Sequence, residues 1–341
     1  MLELLLFCGA DPADTGALAA AVDARNGDII SWLLQKFSER YTRGKAGYGL
    51  EVFRNAIYSA DLHLIKQLLD HQLHFPTLAQ VQGHEAHESI QEDTPLVDAI
   101  QRDDELGFAI FRLMLETILE REGREILDAI ISRRRVVVDG NPPTSIYLQE
   151  TAILIAVGAK QFRKVRLLIE KGTNINAPPS RGIRRTPLQR ASEVGDFRMV
   201  EHLINDGANV NAPAAGCGGA TALQSACIHG YAGIVDLLLR NGADMNAPRS
   251  AWEGRTALEG AAEHGRLDIV VILMNAGVRI DGNFRQQFDQ AIRLAQLNGQ
   301  ATVADYLSSY RSCSGSRPSP DGGEDSTEDT SSVVDQFINW S

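Results

Sequence analysis

Apolar positions along residues 221–248 fall into two helical stretches separated by glycine. Leu223, Ala226 and Cys227 form a short stripe of small and medium side chains. Ile234, Val235, Leu238 and Leu239 then recur at helical spacing and make the apolar face of a second stretch. Thr221 stands where a hydroxyl caps the first helix by accepting a backbone N–H. Gly230 closes that helix, where a left-handed residue costs glycine least, and Gly242 closes the second. Asn246-Ala247-Pro248 opens an extended loop. The pattern predicts helix, turn, helix, loop.

The pattern repeats. Thr151, Thr186, Thr221 and Thr256 step by 35 residues, and Asn-Ala-Pro recurs at 176–178, 211–213 and 246–248 with the same step. A period of this length marks a solenoid, in which one unit cannot bury its apolar face alone. Thr94-Pro95-Leu96 with Ala99 begins a degenerate copy. Leu18, Ala21, Ile29, Ile30, Leu33 and Leu34 match another, and so do Phe53, Ala56, Leu64, Ile65, Leu68 and Leu69. Ile292, Ala295, Gly299, Val303 and Leu307 fit a last one. The threonine-equivalent positions run 16, 51, 94, 151, 186, 221, 256 and 290, which gives eight repeats, four of them near consensus.

Thr186-Pro187-Leu188, residues 207–211 (Gly-Ala-Asn-Val-Asn) and residues 242–246 (Gly-Ala-Asp-Met-Asn) resemble the ankyrin repeat. Arrays with this step and Asn-Ala-Pro loops are similar to those abundant in predicted proteins of filamentous fungi. The family usually has His after Thr-Pro-Leu. Here Gln189, Gln224 or Glu259 stands there, a change expected to alter local turn hydrogen bonding and to leave the fold intact. The resemblance implies an all-α ankyrin-repeat solenoid of about eight helix-turn-helix repeats with a disordered C-terminal tail.

The expected organisation has six parts. Residues 1–12 match the second half of a repeat whose first half is absent, so the chain reads as cut, or as part of a larger protein. Residues 13–120 hold degenerate repeats and 121–148 an insertion, with 125–131 helical and Val136-Val137-Val138 followed by Asn141-Pro142-Pro143 as a loop. Residues 149–282 hold the four near-consensus repeats, and 283–310 a capping repeat. Residues 311–341 are rich in Ser, Gly, Pro and acid, and are expected to be disordered.

Composition narrows the function. The formal charge is −11, from 33 Lys+Arg against 44 Asp+Glu, which argues against nucleic acid, where affinity rests on neutralised phosphates. Residues 311–341 hold two Arg and six Asp+Glu, or −4, leaving a milder −7 on the array. Four scattered cysteines do not make a disulfide framework. No apolar run is long enough for a membrane span, and the first residues lack a signal peptide's basic start. A soluble monomer is expected, cytoplasmic or nuclear and not secreted.

No phosphate loop, His-Glu-x-x-His or Gly-x-Ser-x-Gly motif occurs, so neither an enzyme nor a cofactor is expected. Two His-x-x-His pairs, His71/His74 and His84/His87, put two imidazoles on one helical face. With no cysteine near and Pro76 between the pairs, they fall short of a zinc site. Arg133-Arg134-Arg135 reads as a solvated charge run. Ser326, with Asp329 three residues on in an acidic cluster, is a candidate for an acidophilic kinase.

Ankyrin proteins usually dock targets on the loop tips and the exposed face of the first helix. Carried over position by position, the resemblance assigns Ile183, Arg184, Arg185, Glu193 and Val194 in one repeat and Cys217, Ala220, Ile228 and His229 in the next. A third repeat supplies Trp252, Glu253, Arg255, Glu263 and His264. Trp252 stands out, because Trp and Arg are the residue types most enriched in binding hot spots. The expected function is non-catalytic protein–protein interaction through the concave surface. The alternative is the regulatory or targeting part of a larger enzyme or transcription-related protein whose N-terminal domain is missing here.

Overall fold

The computed structural model describes residues 15–40, 50–71, 91–138, 144–179, 183–216, 218–252 and 254–314. The readings of residues 1–12, of the acidic segment from 315, of Cys217 and of the histidines at 74, 84 and 87 lie outside these.

The described chain is mostly helical, and its helices run in pairs. These are α1 (Thr15–Asp23) and α2 (Gly27–Arg40), then α3 (Leu50–Ser59) and α4 (Leu62–Asp70), then α5 (Pro95–Gln101) and α6 (Glu105–Glu122). After a sheet come α7 (Ala152–Gly158) and α8 (Phe162–Lys171), α9 (Pro187–Val194) and α10 (Phe197–Asn205), and α11 (Ala222–His229) and α12 (Ala232–Arg240). The last pairs are α13 (Ala257–Glu263) with α14 (Leu267–Asn275) and α15 (Arg285–Leu297) with α16 (Ala301–Ser314). Each first helix packs on the first helix of the next pair, so the buried side chains join one apolar core from Leu18 to Leu307. Residues 311–314, expected in the tail, continue α16 as helix.

Local chemistry explains the near-consensus pairs. Thr186, Thr221 and Thr256 cap α9, α11 and α13 in full capping boxes, with Gln189, Gln224 and Glu259 as the reciprocal partners. The residue that replaces the family's histidine therefore closes the helix start. Gln189 also donates from Nε2 to the carbonyls of Ala212 and Pro213, both at 3.0 Å, and Gln224 reaches those of Ala247 and Pro248 at 3.1 Å. Each glutamine thus ties a helix start to the loop leaving its own repeat. A carboxylate cannot donate in this way, and at Glu259 the guanidinium of Arg249 lies 3.5 Å from Oε1 instead.

Asn-Ala-Pro is a structural staple. The Asn211 side chain donates to the Gly242 carbonyl at 2.8 Å and accepts from the Asp244 N–H at 2.7 Å. Asn176 makes the same two bonds to Gly207 and Asn209, and Asn246 accepts from the Arg279 N–H. These bonds cross from one repeat to the next and fix the step between them.

Two departures matter. The first is the insertion, where residues 130–131 and 136–138 are strand instead of the expected helix and loop, while residues 141–143 lie outside the described residues. A short 3-10 turn at Arg124–Asp128 leads into strand β2 (Ile130–Val138), which pairs antiparallel with β3 (Thr144–Thr151). Strand β1 (Gln91–Asp93) pairs with β2 on its other side, Glu92 opposite Arg133, so the sheet order is β1-β2-β3. Because β3 ends at Thr151, the cap position of α7, the insertion stands where a short loop joins other repeats. Ile130-Ile131, Val136-Val137-Val138 and Ile146-Tyr147 are the β-branched and aromatic residues that favour a pleated ribbon over a helix.

The second departure is Lys164. Its counterparts in the following repeats, Met199, Ile234 and Ile269, are buried apolar side chains, and Lys164 is equally buried. Its Nζ donates to the carbonyls of Ile100, at 2.8 Å, and Arg102, at the C-terminal end of α5. Burial pushes its pKa down to about 8, against the opposing pull of Asp103 and Asp104.

Candidate protein-binding face

Hairpin tips and first helices of the near-consensus repeats carry the expected contact residues on one side of the array. Arg185 and Glu193 meet in a two-pronged ion pair, Nη2 to Oε1 at 3.0 Å and Nε to Oε2 at 3.2 Å. Arg190 adds a further contact to Glu193 at 2.9 Å. Burial alone would raise the Glu193 carboxyl, but hydrogen bonds and charge from Arg185, then Arg190, hold it below the usual value. Two repeats on, Arg255 and Glu263 form the same pair at 2.6 and 3.1 Å. In the repeat between them these two positions hold Ala220 and Ile228. Four of the expected contact residues are therefore partners of each other.

Ile228 is half-buried and lies over α13. Its Cγ1 is 2.6 Å from where a Cβ on Gly260 would stand, so the absence of a side chain there gives Ile228 its seat. His229 and His264 are exposed, and each Nδ1 bonds the carbonyl four residues back, that of Ser225 at 2.9 Å and of Gly260 at 3.1 Å. The His229 ring stacks on Tyr231 with centroids 5.9 Å apart. Both histidines thus serve helix ends. Cys227 is fully buried, and burial pushes its thiol up, which disfavours the reactive thiolate.

Trp252 is 71% exposed. Its backbone is held, since its carbonyl accepts from the Gly218 N–H at 3.0 Å on the preceding hairpin tip. The Ser250 hydroxyl also bridges to the Ala215 carbonyl at 2.8 Å. The indole thus projects from a fixed tip. Ile183, Arg184 and Val194 are half-buried on the same tips and helix ends, while Glu253 lies outside the described residues.

Arg190, Arg249 and Tyr231 also line this side and were not among the expected contacts. Tyr231 could have been found as the aromatic that follows the helix-closing Gly230, because its ring covers Gly195 of the preceding repeat.

His71 is described, and it closes α4, with its backbone N–H donating to the Gln67 carbonyl at 3.2 Å. Its partner His74 lies outside the described residues, as do both His84 and His87 of the second pair. Ser326 lies outside as well. Among the described residues, no three His, Cys, Asp or Glu side chains gather as a metal site, and no helix is long and apolar enough to cross a membrane.

Comparison with known families agrees with this geometry. The family profile described as ankyrin repeats (3 copies) matches residues 213–284, and that of the single ankyrin repeat matches residues 184–215. By these matches the chain carries ankyrin repeats in its C-terminal half. Such repeats are generally modules of protein–protein interaction and are themselves non-catalytic. No curated protein matches the chain.

Proposed function

We propose that the chain is a non-catalytic scaffold that captures a protein partner on its hairpin tips and the inner face of α9, α11 and α13. The observation that carries this reading is Trp252, a large aromatic left 71% exposed on a tip whose backbone is fixed by the neighbouring hairpin. A side chain presented on a preorganised backbone loses little freedom on binding, and tryptophan is the type most enriched in hot spots. The proposal has the chain act as a monomer, without cofactor or nucleic acid, in the cytoplasm or nucleus. Affinity capture with the intact chain and with a Trp252→Ala/Arg255→Ala variant tests it. The variant should recover markedly less of the same proteins while keeping its helical circular dichroism. Equal recovery by both would remove this face from the reading.

A further inference from the structure

Resting on that reading, we infer the kind of partner the face fits: an extended, acidic protein segment that seats one apolar side chain on Ile228. The inner face alternates along the array. Arg185–Glu193 and Arg255–Glu263 are ion-paired clamps two repeats apart, and between them the same positions hold Ala220 and Ile228. A polar, apolar, polar sequence of stations results, with Ile228 at its centre on the bare surface of Gly260.

The charge of the stations is not balanced. At the first clamp Glu193 is shared by Arg185 and Arg190, and the adjacent Arg184 places Nη1 3.3 Å from where a Cβ on Gly218 would stand. That end carries three guanidinium groups and one carboxylate. At the other end Arg249 and Arg255 face Glu259 and Glu263, and Glu259 is buried beneath its capping threonine. Among the described residues, five arginines against three glutamates give this face a positive surplus in a chain of net charge −11. Arg185 and Arg255 use Nε and Nη2 on their carboxylates and Nη1 on backbone carbonyls, so each guanidinium is held in a fixed orientation, and the surplus positive charge of the fixed groups suits a second carboxylate.

Spacing sets the register. Packed helices stand about 8–10 Å apart, and an extended chain in the polyproline II form advances about 3.1 Å per residue with three residues per turn, so every third side chain faces the array. Roughly three partner residues therefore span one repeat. The fitting pattern is acid, two residues of any kind, an apolar residue, two of any kind, acid.

Selection of a random displayed-peptide library on the full chain tests this, with the winning peptide then titrated by fluorescence anisotropy. Enriched peptides should carry the acid–apolar–acid pattern. Arg184→Glu and Ile228→Ser should each weaken the winning peptide by about tenfold or more, and binding should weaken as salt rises. Arg184 is half-buried on a hairpin tip, outside the helix caps and the apolar core, so that variant reads charge without unfolding the chain. Circular dichroism checks both variants. Basic or patternless winners, no enrichment, or equal binding by both variants would overturn the inference. A chain cut after Ser314 serves as a further arm. Selection that appears only after the cut would make the occupant this chain's own acidic residues 321–329, and the partner assignment would fail. If the peptides fail while capture still depends on Trp252 and Arg255, the broader reading stands and this one does not.

Discussion

Gln224→Glu changes one atom and removes the tie between a helix start and its outgoing loop. Gln224 is 1% exposed, and its Oε1 accepts from the Thr221 N–H at 3.0 Å. A glutamate keeps that bond. It loses both donations from Nε2, leaving the Ala247 and Pro248 carbonyls facing a buried negative charge. Two hydrogen bonds at about 1 kcal/mol each, plus the desolvation of an unpaired carboxylate at a further ~1–3 kcal/mol, amount to roughly 3–5 kcal/mol. Urea unfolding of the intact chain, followed by far-ultraviolet circular dichroism, should show that loss. The chain contains its own control. Glu259 occupies the same position and is tolerated with Arg249, ten residues earlier, beside it. The residue ten before 224 is Ala214, so adding Ala214→Arg to Gln224→Glu should recover about 1–2 kcal/mol. The deficit should also narrow as pH falls from 7 toward 4.5. A buried, poorly paired carboxyl has a raised folded-state pKa, so folding gains from protonation. A Gln224→Glu chain within about 0.5 kcal/mol of the parent would refute the reasoning.

Three further outcomes follow from the geometry. Gly195 and Gly207 both have positive φ, +72° and +87°, but a Cβ at Gly195 would meet the Tyr231 ring at 2.4 Å, whereas at Gly207 nothing lies within 4 Å. Gly207→Ala should cost only the left-handed backbone penalty of about 1–2 kcal/mol, and Gly195→Ala a further ~1–3 kcal/mol of overpacking. Tyr231→Ala should relieve only the second, as read from a double-mutant cycle of denaturation midpoints. Asn211→Ala removes two bonds to the next repeat and should cost about 1–2 kcal/mol, seen as faster amide exchange at Asp244. Lys164, with its pKa pushed down to about 8, binds fewer protons folded than unfolded between there and its ordinary value near 10.4, so it makes stability rise with pH across that window. The neutral Cys227 thiol acts in the opposite direction. The test is therefore the difference between the parent and Lys164→Met, and an identical pH slope in the two would contradict the burial of the ammonium.

The near-consensus repeats were legible because their punctuation is local. Thr221, Gly230 and Asn246 each act within a few residues of their own position, so the 35-residue step exposes them. Paired structure was harder to read. Arg185 and Glu193 were recognised as surface positions, but that they bind each other follows from the way hairpin and helix fold together. Ile228 over Gly260 is a contact between repeats that no single repeat reveals. The hairpin at β2–β3 was misread although its residues carried the signal. The short run at residues 125–131 fits helical spacing, and periodicity alone does not separate a short apolar strand from a helix. Lys164 was missed because the repeat template predicts an apolar side chain at its position, and only the carbonyls of Ile100 and Arg102 account for a lysine there.

Hydrogen exchange on the chain, alone and saturated with a captured partner, tests the central claim most directly. The account predicts slowed exchange at the hairpin tips around residues 183–186, 218–221 and 250–256 and along α9, α11 and α13, with α10, α12 and α14 unchanged. Protection confined to α10, α12 and α14, with Trp252 and its neighbouring tips unaffected, would contradict it.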